Sequence, residues 1–186
     1  YGSGEKPILQ GSVARDKADE WVQASPGIWA TRPFEPEVKS QILDLTDSQW
    51  SPSFQETAQG TLKRAQENGH WFNRLTCKAS GDKRHQIQVW GPELREVEPC
   101  LVFRLRARST IPFKMDTVEA MMNSPPWTAA TCGAVGQRVI GPEWQTLDVL
   151  LLQREPMPSA YLHFSVGGAV PAGAVFDFQA LGVWRA

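Results

Sequence analysis

Leu101-Val102-Phe103-Arg104-Leu105-Arg106-Ala107-Arg108 alternates apolar and mostly charged residues over eight positions. Along a β-strand successive side chains point to opposite faces. Leu101, Phe103, Leu105 and Ala107 therefore form one face, expected to be buried. Arg104, Arg106 and Arg108 share the other.

Working outward, short runs of this kind recur from residue 41 on, each bounded by Gly, Pro, Asn or Asp. They are Ile42–Leu45, Gly60–Ala65, Trp71–Lys78, His85–Trp90, Phe113–Ala120, Gln137–Ile140, Thr146–Leu152, Tyr161–Val166 and Val175–Val183. Between them stand turn signals such as Asn68-Gly69, Ser80-Gly81-Asp82, Gly91-Pro92 and Gly141-Pro142. No long stretch holds a 3.6-residue period. The expected fold is all-β: an antiparallel two-sheet β-sandwich of the jelly-roll kind.

Residues 1–40 carry little strand pattern and are expected to form an irregular N-terminal segment or linker ahead of a sandwich at 41–186. Asp16–Gln23 reads as a short helix, broken by Ser25-Pro26-Gly27 and by the prolines near residue 35. The chain opens on Tyr1-Gly2-Ser3-Gly4 rather than Met, and reads as a piece of a larger protein.

Charge and cysteine content narrow the function. Lys plus Arg is 19 and Asp plus Glu is 20, a net charge of −1. Nucleic-acid binding rests on a clear basic excess, so no nucleic-acid partner is expected. The longest apolar run, Val149–Leu152, is far short of the roughly 18 residues that span a membrane, and no membrane partner is expected. Cys77, Cys100 and Cys132 have no metal-ligand spacing. They read as three buried thiols, or as one disulfide and a free thiol.

No catalytic constellation is visible: no nucleophile elbow, no phosphate loop, no His-Glu-x-x-His, no Cys-x-x-Cys. Alternation instead points to a polar strand face. With Ile87 and Val89 inward, Gln86, Gln88 and Trp90 face outward. With Leu162, Phe164 and Val166 inward, Tyr161, His163 and Ser165 face outward. Three readings of the arginine row stay open. It is a solvated face with acidic cross-strand partners, an anion site, or a set of donors for sugar hydroxyls.

There are 8 Trp against 2 Tyr. Trp50 and Trp144 read as sandwich core or corner residues, and Trp184 as a core cap. Trp90, Trp127 and Trp71 sit on a polar face or beside turns and are the stacking candidates. An indole offers a face to the C–H face of a sugar ring, while flanking amides and guanidiniums read hydroxyls.

Four segments together resemble galactose-binding-like jelly-roll carbohydrate-binding modules attached to bacterial endo-xylanases and related hydrolases. They are Leu101–Arg108, the run Gly141-Pro142-Glu143-Trp144-Gln145-Thr146-Leu147-Asp148-Val149, Tyr161–Gly167 and Val175–Val183. Ile42–Trp50 resembles the opening strand of such modules and His85–Val89 their glutamine strand. The resemblance covers about 41–184. It implies a cleft over a concave sheet, with Gln86, Gln88, His163 and Ser165 at its matching positions and Arg104 and Arg106 beside them. Trp90 and Trp127 complete the expected site. The chain has His85 where the family often has an aromatic residue. It has Gln179 where many members have an acid supporting a structural calcium, so no cofactor and no calcium are expected. The implied function is non-catalytic binding of β-linked plant polysaccharide, xylan or β-glucan, outside the cell or at its surface. The implied partner is a covalently linked glycoside hydrolase. The competing expectation is a structural sandwich that packs on a neighbouring domain and binds no sugar. In that case Trp90, Trp127 and Trp71 are buried or lie in an apolar patch.

Overall fold

The computed structural model describes residues 21–25, 28–31, 38–95, 97–135 and 138–186. Two units follow one another along the chain, with the boundary between Glu35 and Pro36. In the first, β1 (Trp21–Ser25) and β2 (Ile28–Thr31) form an antiparallel hairpin. This corrects the expected helix at its C-terminal end, because Trp, Val, Ile and Thr favour pleated structure. The remaining residues of that helix, 16–20, lie outside the described residues, as do Pro26-Gly27 and 32–37.

The second unit is the sandwich. Its strands are β3 (Gln41–Asp44), β4 (Ser51–Phe54), β5 (Gln59–Glu67), β6 (His70–Ala79), β7 (Ile87–Leu94), β8 (Cys100–Ser109), β9 (Phe113–Lys114), β10 (Thr117–Met121), β11 (Thr131–Ala134), β12 (Val139–Ile140), β13 (Gln145–Gln153), β14 (Ala160–Ser165) and β15 (Val175–Arg185). One layer runs β4-β7-β14-β10 and the other β5-β6-β15-β8-β13, with β3 beside the end of β15. The short strand β11 pairs with β10 through Val118↔Gly133 and with β13 through Cys132↔Leu152, closing one edge between the layers. All pairings are antiparallel.

The alternation of β8 holds: Leu101, Phe103, Leu105 and Ala107 are fully buried between the layers. Phe103, Phe164, Phe176, Phe178 and Trp50 build an aromatic centre. Trp50 meets Phe178 edge-on at 5.4 Å and Phe164 at 5.5 Å, and its indole N–H donates to Ser48 Oγ at 2.9 Å. Burying these rings supplies most of the sandwich's driving force.

Three details differ from the expected elements. Gly91-Pro92 does not end a strand. Trp90 pairs with His163 and Glu93 with Tyr161, so β7 carries one extra residue there as a bulge and continues to Leu94. Strand β4 has no alternating apolar pattern and contains Pro52, which an edge strand tolerates because its missing N–H faces no neighbour. Cys77 is buried, but Cys100 is half-buried and Cys132 exposed, and all three thiols are free.

Candidate functional site

The outer face of the β4-β7-β14-β10 layer carries a groove of about 960 Å³. Strand register explains its lining. Ser51, Trp90, His163 and Glu119 stand in one row across the four strands. Ser53, Gln88 and Ser165 form the next row towards one side, and Tyr161 and Met121 the next towards the other. Arg84 and His85 line the polar side, with Gln55. Trp127 and Asn123 come from the loop after β10. The groove thus has a half rich in amides and hydroxyls and a half built of Trp90, Trp127, Tyr161 and Met121.

The aromatic half is positioned by specific contacts. The Trp90 indole N–H donates to Gln88 Oε1 at 3.2 Å, and the Trp90 ring lies 4.3 Å from the His163 ring and 6.4 Å from Trp127. Trp127 is 51 % exposed and sits at φ 58°, a left-handed conformation costly for a bulky side chain. Its backbone N–H donates to the Ser124 carbonyl at 2.9 Å, which holds that geometry. Strain of this kind concentrates where a side chain must be presented.

His163 is only 4 % exposed, at the floor beside Trp90. Burial, reinforced by the Arg84 charge, pulls its pKa from the ordinary 6.5 down to about 4. The ring is therefore neutral near pH 7. Its Nε2 lies 3.4 Å from Ser165 Oγ. Its Nδ1 is buried without a hydrogen-bond partner and lies 3.9 Å from a Glu119 carboxylate oxygen. Arg84 pairs with Asp116 at 3.1 Å and also donates to Thr117 Oγ1.

Of the residues expected at the site from sequence, the groove brings together Gln88, Trp90, Trp127, His163 and Ser165. Three lie elsewhere. Gln86 is 1 % exposed in a 3-10 turn (Arg84–Gln86) just before β7, where strand alternation does not apply. Its Oε1 accepts the N–H groups of Asp82 and Lys83 at 2.6 and 3.0 Å, and its amide donates to Glu56. Gln86 thus pins a loop.

Arg104 and Arg106 stand on β8, in the other layer, and face the opposite outer surface. Arg104 makes a bidentate pair with Asp148 at 2.6 and 2.7 Å and covers Trp184. Arg106 lies over Trp144 at 5.1 Å, as Arg108 does at 4.5 Å. Arg108 also meets buried Asp177, which Arg74 holds from its other side at 2.8 Å. Of the three readings of the arginine row, the solvated face with acidic partners is the one present for Arg104 and Arg108.

Trp144 and Trp184 belong to that outer face, each half-buried under an arginine, and not to the core. Trp71 is 41 % exposed on β6, under Arg64 and away from the groove. Alternation places Tyr161 on the correct face. Gln49, Ser51, Ser53 and Gln55 carry no sequence signal, because β4 itself has none. Glu119 and Met121 become visible only once β10 is paired with β14.

No family model and no curated protein sequence matches the chain. Solved structures do match. A family 4 carbohydrate-binding module superposes with a TM-score of 0.57 at 14 % identity, covering 74 % of this chain and 86 % of that one. The family 11 carbohydrate-binding module of the cellulosomal cellulase Lic26A-Cel5E of Clostridium thermocellum gives 0.52 at 12 % identity, covering 81 % and 97 %. The CBM22-1 xylan-binding domain of Paenibacillus barcinonensis Xyn10C gives 0.50 at 10 % identity, covering 80 % and 97 %. At such identity the likeness is one of fold: the chain is a jelly-roll β-sandwich of the kind found in carbohydrate-binding modules.

Proposed function

We propose that this domain is a non-catalytic carbohydrate-binding module. It holds β-linked plant polysaccharide, xylan or β-glucan, across the β4-β7-β14-β10 groove. The observation that carries the reading is the pairing of two tilted indoles, Trp90 and Trp127, with a row of short hydroxyl and amide side chains, Ser53, Gln88 and Ser165. Pyranose rings present apolar C–H faces to indoles and hydroxyls to such donors and acceptors. An apolar docking patch for a neighbouring domain would lack the second component.

Holding rather than cleaving fits the charges. Most glycoside hydrolases flank the scissile bond with two carboxylates, and among the described residues lining the groove Glu119 is the one carboxylate. A weak module of this kind works by tethering. Linked to a glycoside hydrolase outside the cell or at its surface, it raises the effective concentration of substrate.

Affinity gel electrophoresis in soluble xylan, mixed-linkage β-glucan and mannan tests the reading. Retardation by xylan or β-glucan that Trp90→Ala abolishes is the expected result. Migration unaffected by every polysaccharide would leave the structural-sandwich reading standing instead.

A further inference from the structure

The floor of the groove holds a buried group that the stacking picture does not use. His163 Nδ1 has no hydrogen-bond partner, although the residue is almost fully buried. A buried polar atom left unpaired is costly, so such an atom at the floor of a groove marks a place where something is meant to bond. The tautomer follows from the neighbours. Ser165 Oγ–H, 3.4 Å from Nε2, can donate to it, which leaves the ring proton on Nδ1. Nδ1–H then faces Glu119, whose carboxylate oxygen is 3.9 Å away, too far for a direct hydrogen bond.

That gap suits one hydroxyl group. An oxygen about 2.8 Å from Nδ1 and about 2.7 Å from the carboxylate spans the separation. It accepts from the imidazole and donates to the carboxylate, which uses both capacities of an alcohol. An ether or ester oxygen accepts but has no proton for Glu119. A bare C–H does neither.

Resting on the glycan reading above, we propose that His163 and Glu119 together are a single-hydroxyl reader. They determine specificity by requiring an unsubstituted sugar hydroxyl at the groove floor beside Trp90. The pair then selects against glycans deoxygenated, methylated or acylated at that hydroxyl. A site built to hydrogen-bond a hydroxyl discriminates against an analogue lacking it far more sharply than an apolar pocket does. The charged groups facing the imidazole are Glu119 and Arg84. With Arg84 engaged by Asp116, the Glu119 carboxylate is the acceptor left for the ligand.

A double-mutant cycle separates this role from a structural one. Wild type, His163→Phe, Glu119→Ala and the double variant are titrated calorimetrically with cellohexaose and with xylohexaose, and their melting temperatures are measured. Because one hydroxyl bonds both groups, each single substitution is expected to weaken binding at least tenfold. The double variant is expected to lose no more than the worse single one. His163→Phe keeps a ring under Trp90 and removes the unpaired nitrogen, so its melting temperature is expected to hold or rise. Single variants that bind like wild type, or losses that add, overturn the inference while the groove reading stands. A wild type that binds neither oligosaccharide overturns the groove reading, and the inference with it.

Discussion

Trp50 and Trp90 illustrate how the same side chain takes opposite roles. Trp50 is 7 % exposed, with its N–H satisfied by Ser48 and its faces against phenylalanines from both layers. Trp90 shows its ring to the groove and uses Gln88 to fix its orientation. Trp90→Ala is expected to cost about 1–3 kcal/mol of glycan binding, by analogy with aromatic platforms under nucleic-acid bases. Trp50→Ala is expected to cost about 3–5 kcal/mol of stability through cavity formation. Melting temperature and oligosaccharide titration of the two variants should give reversed patterns. If Trp90→Ala unfolds early yet binds normally, the stacking role is wrong.

The pKa of His163 makes a second prediction at this scale. Its folded value, about 4, lies below its ordinary 6.5. Between those values the unfolded chain binds a proton that the native state refuses. Stability therefore falls as pH drops through this window and is recovered above it, by up to about 3 kcal/mol from this group. Urea melts at pH 4.5 and 7 should show a smaller difference for His163→Phe than for wild type. Equal differences would mean that carboxylates such as Asp177 account for all of the acid lability.

At the scale of elements, the bulge in β7 sets the groove. Gly91 lies against Trp50: a Cβ there would sit 2.5 Å from the indole. Gly91→Ala is thus expected to push Trp50 or β7 aside, lowering the melting temperature and weakening glycan binding together, since Trp90 is its neighbour. Retention of both properties would show that the core yields more readily than its packing implies. The back layer has its own device. Asp177, almost wholly buried, is clamped by Arg74 and Arg108 from the flanking strands β6 and β8. This network knits three strands on the face turned away from the groove. The arginines there are cross-strand partners, and their indole contacts with Trp144 and Trp184 cover that side of the sheet.

For the whole molecule, the sandwich core is contained in residues 36–186, and the groove lies wholly on one of its layers. Among the described residues no group of three or more His, Cys, Asp or Glu is placed to hold a metal ion. Chelation by EDTA is accordingly expected to leave both the melting temperature and the affinity for soluble β-glucan or xylan unchanged. Loss of folding and binding on chelation, restored by calcium, would contradict this.

Most of the sandwich was written locally. Period-two patterns marked β8, β13, β14 and β15 and sorted their buried from their outward residues, because side-chain alternation is a property of the extended backbone itself. The same rule put Gln88, Trp90, His163 and Ser165 outward. Where the backbone leaves the strand conformation it fails, as at Gln86 in its 3-10 turn. Where composition is neutral it is silent, as in Ser51-Pro52-Ser53-Phe54. Alternation also says only that a side chain faces out, and a sandwich has two outsides. Arg104 and Gln88 are equally outward but lie on opposite surfaces, because β8 pairs with β15 and β13 while β7 pairs with β14 and β4. That partition depends on which strands, distant along the chain, bury their phenylalanines against one another. Such non-local packing energy has no period in the sequence, so the membership of the groove became visible only in the folded chain.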